Sequence, residues 1–121
     1  MKFSEAIREG AKLDIPNMQG AFFGFKDGDG DLCACAAGKA LIAIGALSVD
    51  SAIEMVKDAV DNGWSLNAHV SGSGVIPSEW VKSHEAIPDY CTTPLGFVAC
   101  LNDKEDYTEL EIAEKLAELG L

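Results

Sequence analysis

The 121 residues carry 20 acids against 9 bases, a formal net charge of −11, and 48% of them are apolar. That apolar share supports a folded chain with a modest core in a single domain, residues 1–121, and excludes wholesale disorder. The negative charge argues against nucleic acid and against an anionic membrane as partners, because both need a cationic surface.

The opening stretch, MKFSEAIREGAKLDIP, is polar and lacks the apolar segment of a secretory signal, so the expected location is the cytoplasm. Thiols stay reduced there. Ser4 reads as an N-cap ahead of the helix-forming EAIREGAKL, with Ala6, Ile7, Gly10 and Leu13 on its inner side and Pro16 beyond its end. GAFFGF (Gly20 to Phe25) has aromatic β character and LCAC can pair back on it. KDGDGD between them is a turn, which makes a hairpin.

The next helix is expected over Ala36 to Leu47. Lys39 is its only charge, so most of its surface should be buried, with the lysine exposed or extending its amine outward. Gly38 and Gly45 would let another element approach closely. Ser51 and Glu54 read as a capping box before AIEMVKDAVDN, whose inner stripe is Ile53, Val56 and Val60, and Gly63 closes it. LNAHV and VI read as short strands around a flexible SGSG loop. PSEWVKSHE is expected to form one or two helical turns. LGFVACLND, after Pro94, is a helix. Thr108 and Glu111 form a second capping box for ELEIAEKLAELG, with Leu110, Ala113 and Leu116 or Ala117 facing inward. The expected fold is α+β and mostly helical: a small N-terminal β-hairpin packed on a buried Ala/Gly-rich helix, followed by a C-terminal helix pair.

Several chemistries are suggested by fragments and fail on completion. Asp27, Asp29 and Asp31 have the spacing that opens a calcium loop, but the required glycine and terminal glutamate fall on Leu32 and Gly38. Gly38-Lys39 suggests a phosphate loop, but Cys33 and Ala40 stand where Gly and Ser or Thr are needed. Leu32 to Val49 reaches the lower length of a membrane span, yet a central lysine and abundant Ala and Gly favour a core helix. The final helix carries four glutamates and one lysine in TELEIAEKLAELG, unlike a DNA-reading helix.

Zinc is the more open possibility. Cys33, Cys35, Cys91 and Cys100 are candidate ligands, with His69 and His84 also available, although C-x-C and C-x8-C are not the paired knuckles of a strong zinc motif. On a strand Cys33 and Cys35 would share one face. They are too close to bond to each other as an ordinary disulfide. A cysteine nucleophile would need a histidine in reach, and nothing in the order of residues supplies one.

Three stretches resemble one family. FSEAIREGAKL is similar to S-x-A-I-x-x-G-A, CAAGKAL (Cys35 to Leu41) to C-A-L-G-A-A-L, and CLNDKEDYTELEIAEKL to H-L-N-D-x-H-x-W-T-R-x-x-I-A-x-W-V. Together they resemble a family of short bacterial and phage proteins with no assigned function. Leu101, Asn102, Asp103, Thr108, Ile112 and Ala113 fit the last motif. Cys100, Tyr107 and Lys115 replace its histidine and two tryptophans. The resemblance implies a shared fold and no activity. It makes Asn102 and Asp103 helix-capping residues, and it leaves Cys100 suited only to a soft metal.

The expected function is that of a non-enzymatic accessory that binds another protein. The alternatives are a zinc-binding module in which some of the four cysteines hold the metal and a small enzyme with SGSG as a lid.

Overall fold

A computed structural model describes residues 1–26, 31–87, 91–104 and 107–121. Helix α1 (Phe3–Ala11) is followed by strands β1 (Phe23–Phe25) and β2 (Leu32–Ala34). Helices α2 (Ala36–Ala43), α3 (Val49–Asn62), α4 (Leu66–Gly72), α5 (Pro94–Asn102) and α6 (Glu109–Glu118) complete the described order, with a 3-10 turn at Ser78–Trp80 between α4 and α5. The fold is mostly helical α+β with a two-stranded hairpin, as expected. None of the described helices is long and apolar enough to cross a membrane.

Helix α1 starts earlier than its serine suggests. Lys2 is the N-cap, and Glu5 reaches back to accept a hydrogen bond from the Lys2 N–H at 3.2 Å. Ser4 lies inside the first turn and is buried. The early start places Phe3 on the inner face, where its ring stacks on Trp80 with centroids 4.0 Å apart. Burial of two aromatic rings outweighs a single capping hydrogen bond of about 1 kcal/mol.

The hairpin pairs Phe23 with Ala34, Gly24 with Cys33 and Phe25 with Leu32 in antiparallel register. Of its expected turn, Lys26 to Asp31, residues 27–30 lie outside the described residues, while at its ends the Lys26 N–H donates to the Asp31 carbonyl at 3.0 Å. The segment after α1 runs beside β2: the Ala34 N–H donates to the Pro16 carbonyl, and the Met18 N–H donates to the Ala34 carbonyl. The hairpin rests against α3 on one side and feeds α2 directly.

The first six residues of α2 are buried, from Ala36 to Leu41. A methyl group added at Gly38 would collide with the Phe22 carbonyl, so this glycine is required for the helix to lie on the hairpin. Gly45 has another role. It is in open space with φ +77° and terminates the turn after Ala43, which ends the helix short of Leu47. Helix α1 crosses α2 closely because a Cβ at Gly10 would stand 2.8 Å from the Lys39 backbone carbon.

Helix α3 is capped by Ser48, whose hydroxyl accepts from the Ser51 N–H at 3.0 Å, in place of the expected Ser51–Glu54 box. Gly63, at φ 68°, closes it as expected. Its buried residues are Ala52, Val56 and Ala59, while Val60 is 71% exposed. The LNAHV stretch is helical, not a strand. Ser65 caps α4, Val70 is fully buried on it, and Ser71 and Gly72 of the expected loop finish the helix. In α5, Thr93 accepts from the Gly96 N–H and Pro94 occupies the first turn. The Thr108–Glu111 capping box forms, and α6 buries Ile112, Ala113 and Leu116. Leu110 and Ala117 point outward instead, and Leu110 is 56% exposed. Among the described residues, buried side chains of the six helices and both strands, from Phe3 to Leu116, form the core.

Candidate functional site

Asn102 is the best-connected polar side chain of the interior. Its Oδ1 accepts from the Ala36 N–H and from Asn17 Nδ2, each at 3.0 Å, and its Nδ2 donates to the Met18 carbonyl at 2.8 Å. Next to it, Asp103 Oδ1 accepts from the Gly20 N–H at 3.0 Å. Asn67, on α4, accepts from the Phe22 N–H and donates to the Gly20 carbonyl. Three side chains therefore hold the 17–22 segment against the helices. The expected capping role of Asn102 is real, but the helix it caps is α2, 66 residues away in sequence.

Lys39 is neither exposed nor extended to solvent. It is 4% exposed, and its Nζ lies 2.5 Å from Glu109 Oε1. The same oxygen accepts from Asn17 Nδ2 at 3.4 Å, while Glu109 Oε2 is buried without a hydrogen-bond partner among the described residues. The lysine is structural: it ties α2 to the start of α6.

Between the Gly20–Phe22 segment, the start of α2, Asn67 of α4 and the length of α5 lies a cavity of about 380 Å³, lined by Phe22, Cys35, Asn67, Thr93, Leu95 and Asp103 among others. Its volume suits a small molecule. Most of its polar groups are already committed to the contacts above. Cys35 caps α2, its sulfur accepting from the Gly38 N–H at 3.4 Å. Burial pushes this thiol up to about 11, with the Asp103 charge adding to the rise and the Gly38 and Ala37 N–H groups opposing it. It stays protonated at neutral pH, where a nucleophile needs a thiolate. Neither histidine lines the cavity. His69 packs at a tilt against Trp64, and His84 Nδ1 accepts from the Ala86 N–H.

The four candidate zinc ligands are distributed over the fold. Cys33 is buried in β2, Cys35 caps α2, Cys91 precedes α5, and Cys100 lies on α5. Cys91 and Cys100 meet, with sulfurs 2.8 Å apart. Among the described residues, no three His, Cys, Asp or Glu side chains converge to hold a metal ion. The idea of a shared strand face for Cys33 and Cys35 fails because the strand ends at Ala34. Asp27 and Asp29, from the calcium-like spacing, lie outside the described residues.

The surface of α3 has a feature that composition alone does not reveal. Val49, Ile53 and Val60 follow each other at helical spacing along one edge, and Trp64 continues past Gly63. Val49, Val60 and Trp64 are 41%, 71% and 53% exposed. Asp50, Glu54, Asp58 and Asp61 occupy the adjoining face, with Lys57 the one base of this helix. No family model, no curated protein and no solved structure matches the chain.

Proposed function

We propose that the protein is a non-enzymatic accessory that works by binding another protein, and that α3 is the face it presents. The observation that carries this reading is the exposed apolar edge Val49–Val60–Trp64 lying directly beside four carboxylates. Large apolar side chains exposed next to charge are a common form of interaction surface, and a tryptophan is a frequent anchor. Charge complementarity specifies the partner: an apolar groove bordered by lysines or arginines. The net charge of −11 would steer such a partner from a distance and make association fall with added salt. The cytoplasm is the proposed compartment.

The test is affinity purification from a cytoplasmic extract with the wild-type chain and with a Val60→Ser/Trp64→Ala variant. A partner retained by the wild type at low salt, weakened by salt and lost in the variant supports the reading. A partner that binds both proteins equally places the interface elsewhere. Circular dichroism of the variant controls for its fold.

A further inference from the structure

Cys91 and Cys100 meet because of how the chain turns into α5. Cys91 lies two residues before Thr93, the N-cap, and Cys100 is on the helix itself. A Cβ at Gly96 would stand 3.0 Å from the Cys91 carbonyl oxygen, so the missing side chain there lets residue 91 fold over the first turn. Gly96 and Cys100 are four residues apart and share a side of the helix. The result is a sulfur–sulfur distance of 2.8 Å between two free thiols. Cys91 is buried, 5% exposed, and Cys100 is half-buried. With no third ligand converging among the described residues, the pair has the arrangement of a dithiol and not of a metal site.

We propose that Cys91 and Cys100 form a reversible disulfide site that responds to peroxide. Cys100, the more exposed of the two, reacts first: its thiolate attacks one peroxide oxygen, a sulfur–oxygen bond forms, and the oxygen–oxygen bond breaks. The leaving hydroxide takes up a proton and departs as water, leaving a sulfenic acid on Cys100. The Cys91 sulfur then attacks the Cys100 sulfur. The sulfur–sulfur bond forms, the sulfur–oxygen bond breaks, and the hydroxide leaves as a second water with the Cys91 proton. Two thiols lose two electrons and two protons, and hydrogen peroxide is reduced to two waters. A dithiol reductant reverses the change by exchange. Burial, together with the neighbouring Cys100 thiol, pushes the Cys91 thiol up to about 11, which fits a resolving thiol waiting in protonated form. In a reducing compartment such a bond would be transient and regulatory.

The bond would pin the segment before α5 to that helix. The Thr92 carbonyl in this segment accepts from the His84 N–H at 3.0 Å, so the stretch from Ser83 to Ile87 would be held with it. Cys33 and Cys35 take no part.

The full chain is treated with hydrogen peroxide, denatured, alkylated and analysed by intact mass and peptide mapping. The expected result is loss of two alkylatable thiols, a mass about 2 Da lower before alkylation, and a crosslinked pair of peptides containing Cys91 and Cys100, all reversed by dithiothreitol. Cys91→Ser and Cys100→Ser should each abolish the crosslink, and Cys33→Ser should leave it. The oxidised protein should also melt at a higher temperature than the reduced one. Four thiols still titrating after peroxide, a crosslink between other cysteines, or oxygen added at Cys100 without a bond would each overturn the proposal. The wild-type mapping decides the matter even if a serine variant fails to fold.

Discussion

Lys39 Nζ and Glu109 Oε1 meet at 2.5 Å across 70 residues of chain, and the lysine is almost wholly buried. The pair fixes where α6 begins relative to α2. Removing one partner strands the other charge in a poorly solvated place. Lys39→Met should therefore cost about 3 to 5 kcal/mol in urea unfolding. The double variant Lys39→Met/Glu109→Leu should recover most of that loss. If Lys39→Met is as stable as the wild type, the ion pair does not support the fold.

Asn102 should be as sensitive for a different reason. Asn102→Ala leaves the buried Ala36 N–H without an acceptor and the Met18 carbonyl without its donor. A loss of about 3 kcal/mol is expected, since each stranded group costs about 1–3 kcal/mol. Asn102→Asp keeps the acceptor and loses the donor, so it should fall between. Hydrogen exchange should show the damage first at Ala36 and along the 17–22 segment.

Gly38 and Gly45 should separate two uses of glycine. Gly38→Ala drives a methyl into the Phe22 carbonyl and should cost about 1–3 kcal/mol, with the hairpin displaced from α2. Gly45→Ala meets no atom but must hold φ +77°, so its cost should be close to 1 kcal/mol and confined to the helix end. Denaturation midpoints of the two variants test the ranking.

The buried Cys35 thiol gives a definite alkaline signature. It ionises near 9.0 when free and near 11 in the folded protein. Below pH 9 neither state is ionised and its contribution to stability is fully present. Between pH 9 and 11 the unfolded chain loses its proton first, so stability falls with rising pH, by on the order of 2 kcal/mol for this group. Cys35→Ser keeps a helix-capping oxygen and removes the titration, so its stability should decline less over that interval. Unfolding in reductant at pH 8 and pH 10.5 provides the comparison.

Elements bounded by local chemistry were readable in one dimension. Pro94 at the first turn of α5, Gly63 at the end of α3 and the Thr108–Glu111 box all act through neighbours a few residues away. Where sequence and structure differ, burial or a cap a few residues upstream decides the element. Ser4 and Ser51 have the chemistry of caps, but burial of Phe3 and the neighbouring Ser48 place the helix starts upstream. LNAHV is helical because the Ser65 hydroxyl caps it by accepting from the Ala68 N–H, although the glycine-rich stretch that follows favours a loop. The candidate site was less legible than the fold. Spacing alone puts Val60 on the inner stripe of α3, yet it lies on the exposed edge, because Ala52 and Ala59 take the contact with the rest of the protein.

Sequence by itself determined the mostly helical α+β class, the hairpin ahead of a buried Ala/Gly-rich helix, and the acidic balance, because periodicity, turn residues and charge are properties of adjacent residues. Tertiary structure alone decided that Lys39 is buried against Glu109, that Asn102 caps a helix 66 residues away, and that Cys91 pairs with Cys100 while Cys33 and Cys35 stay apart. Each of these depends on which helix faces lie together, and that follows from the packing of the whole core, with glycines 10, 38 and 96 allowing the close approaches.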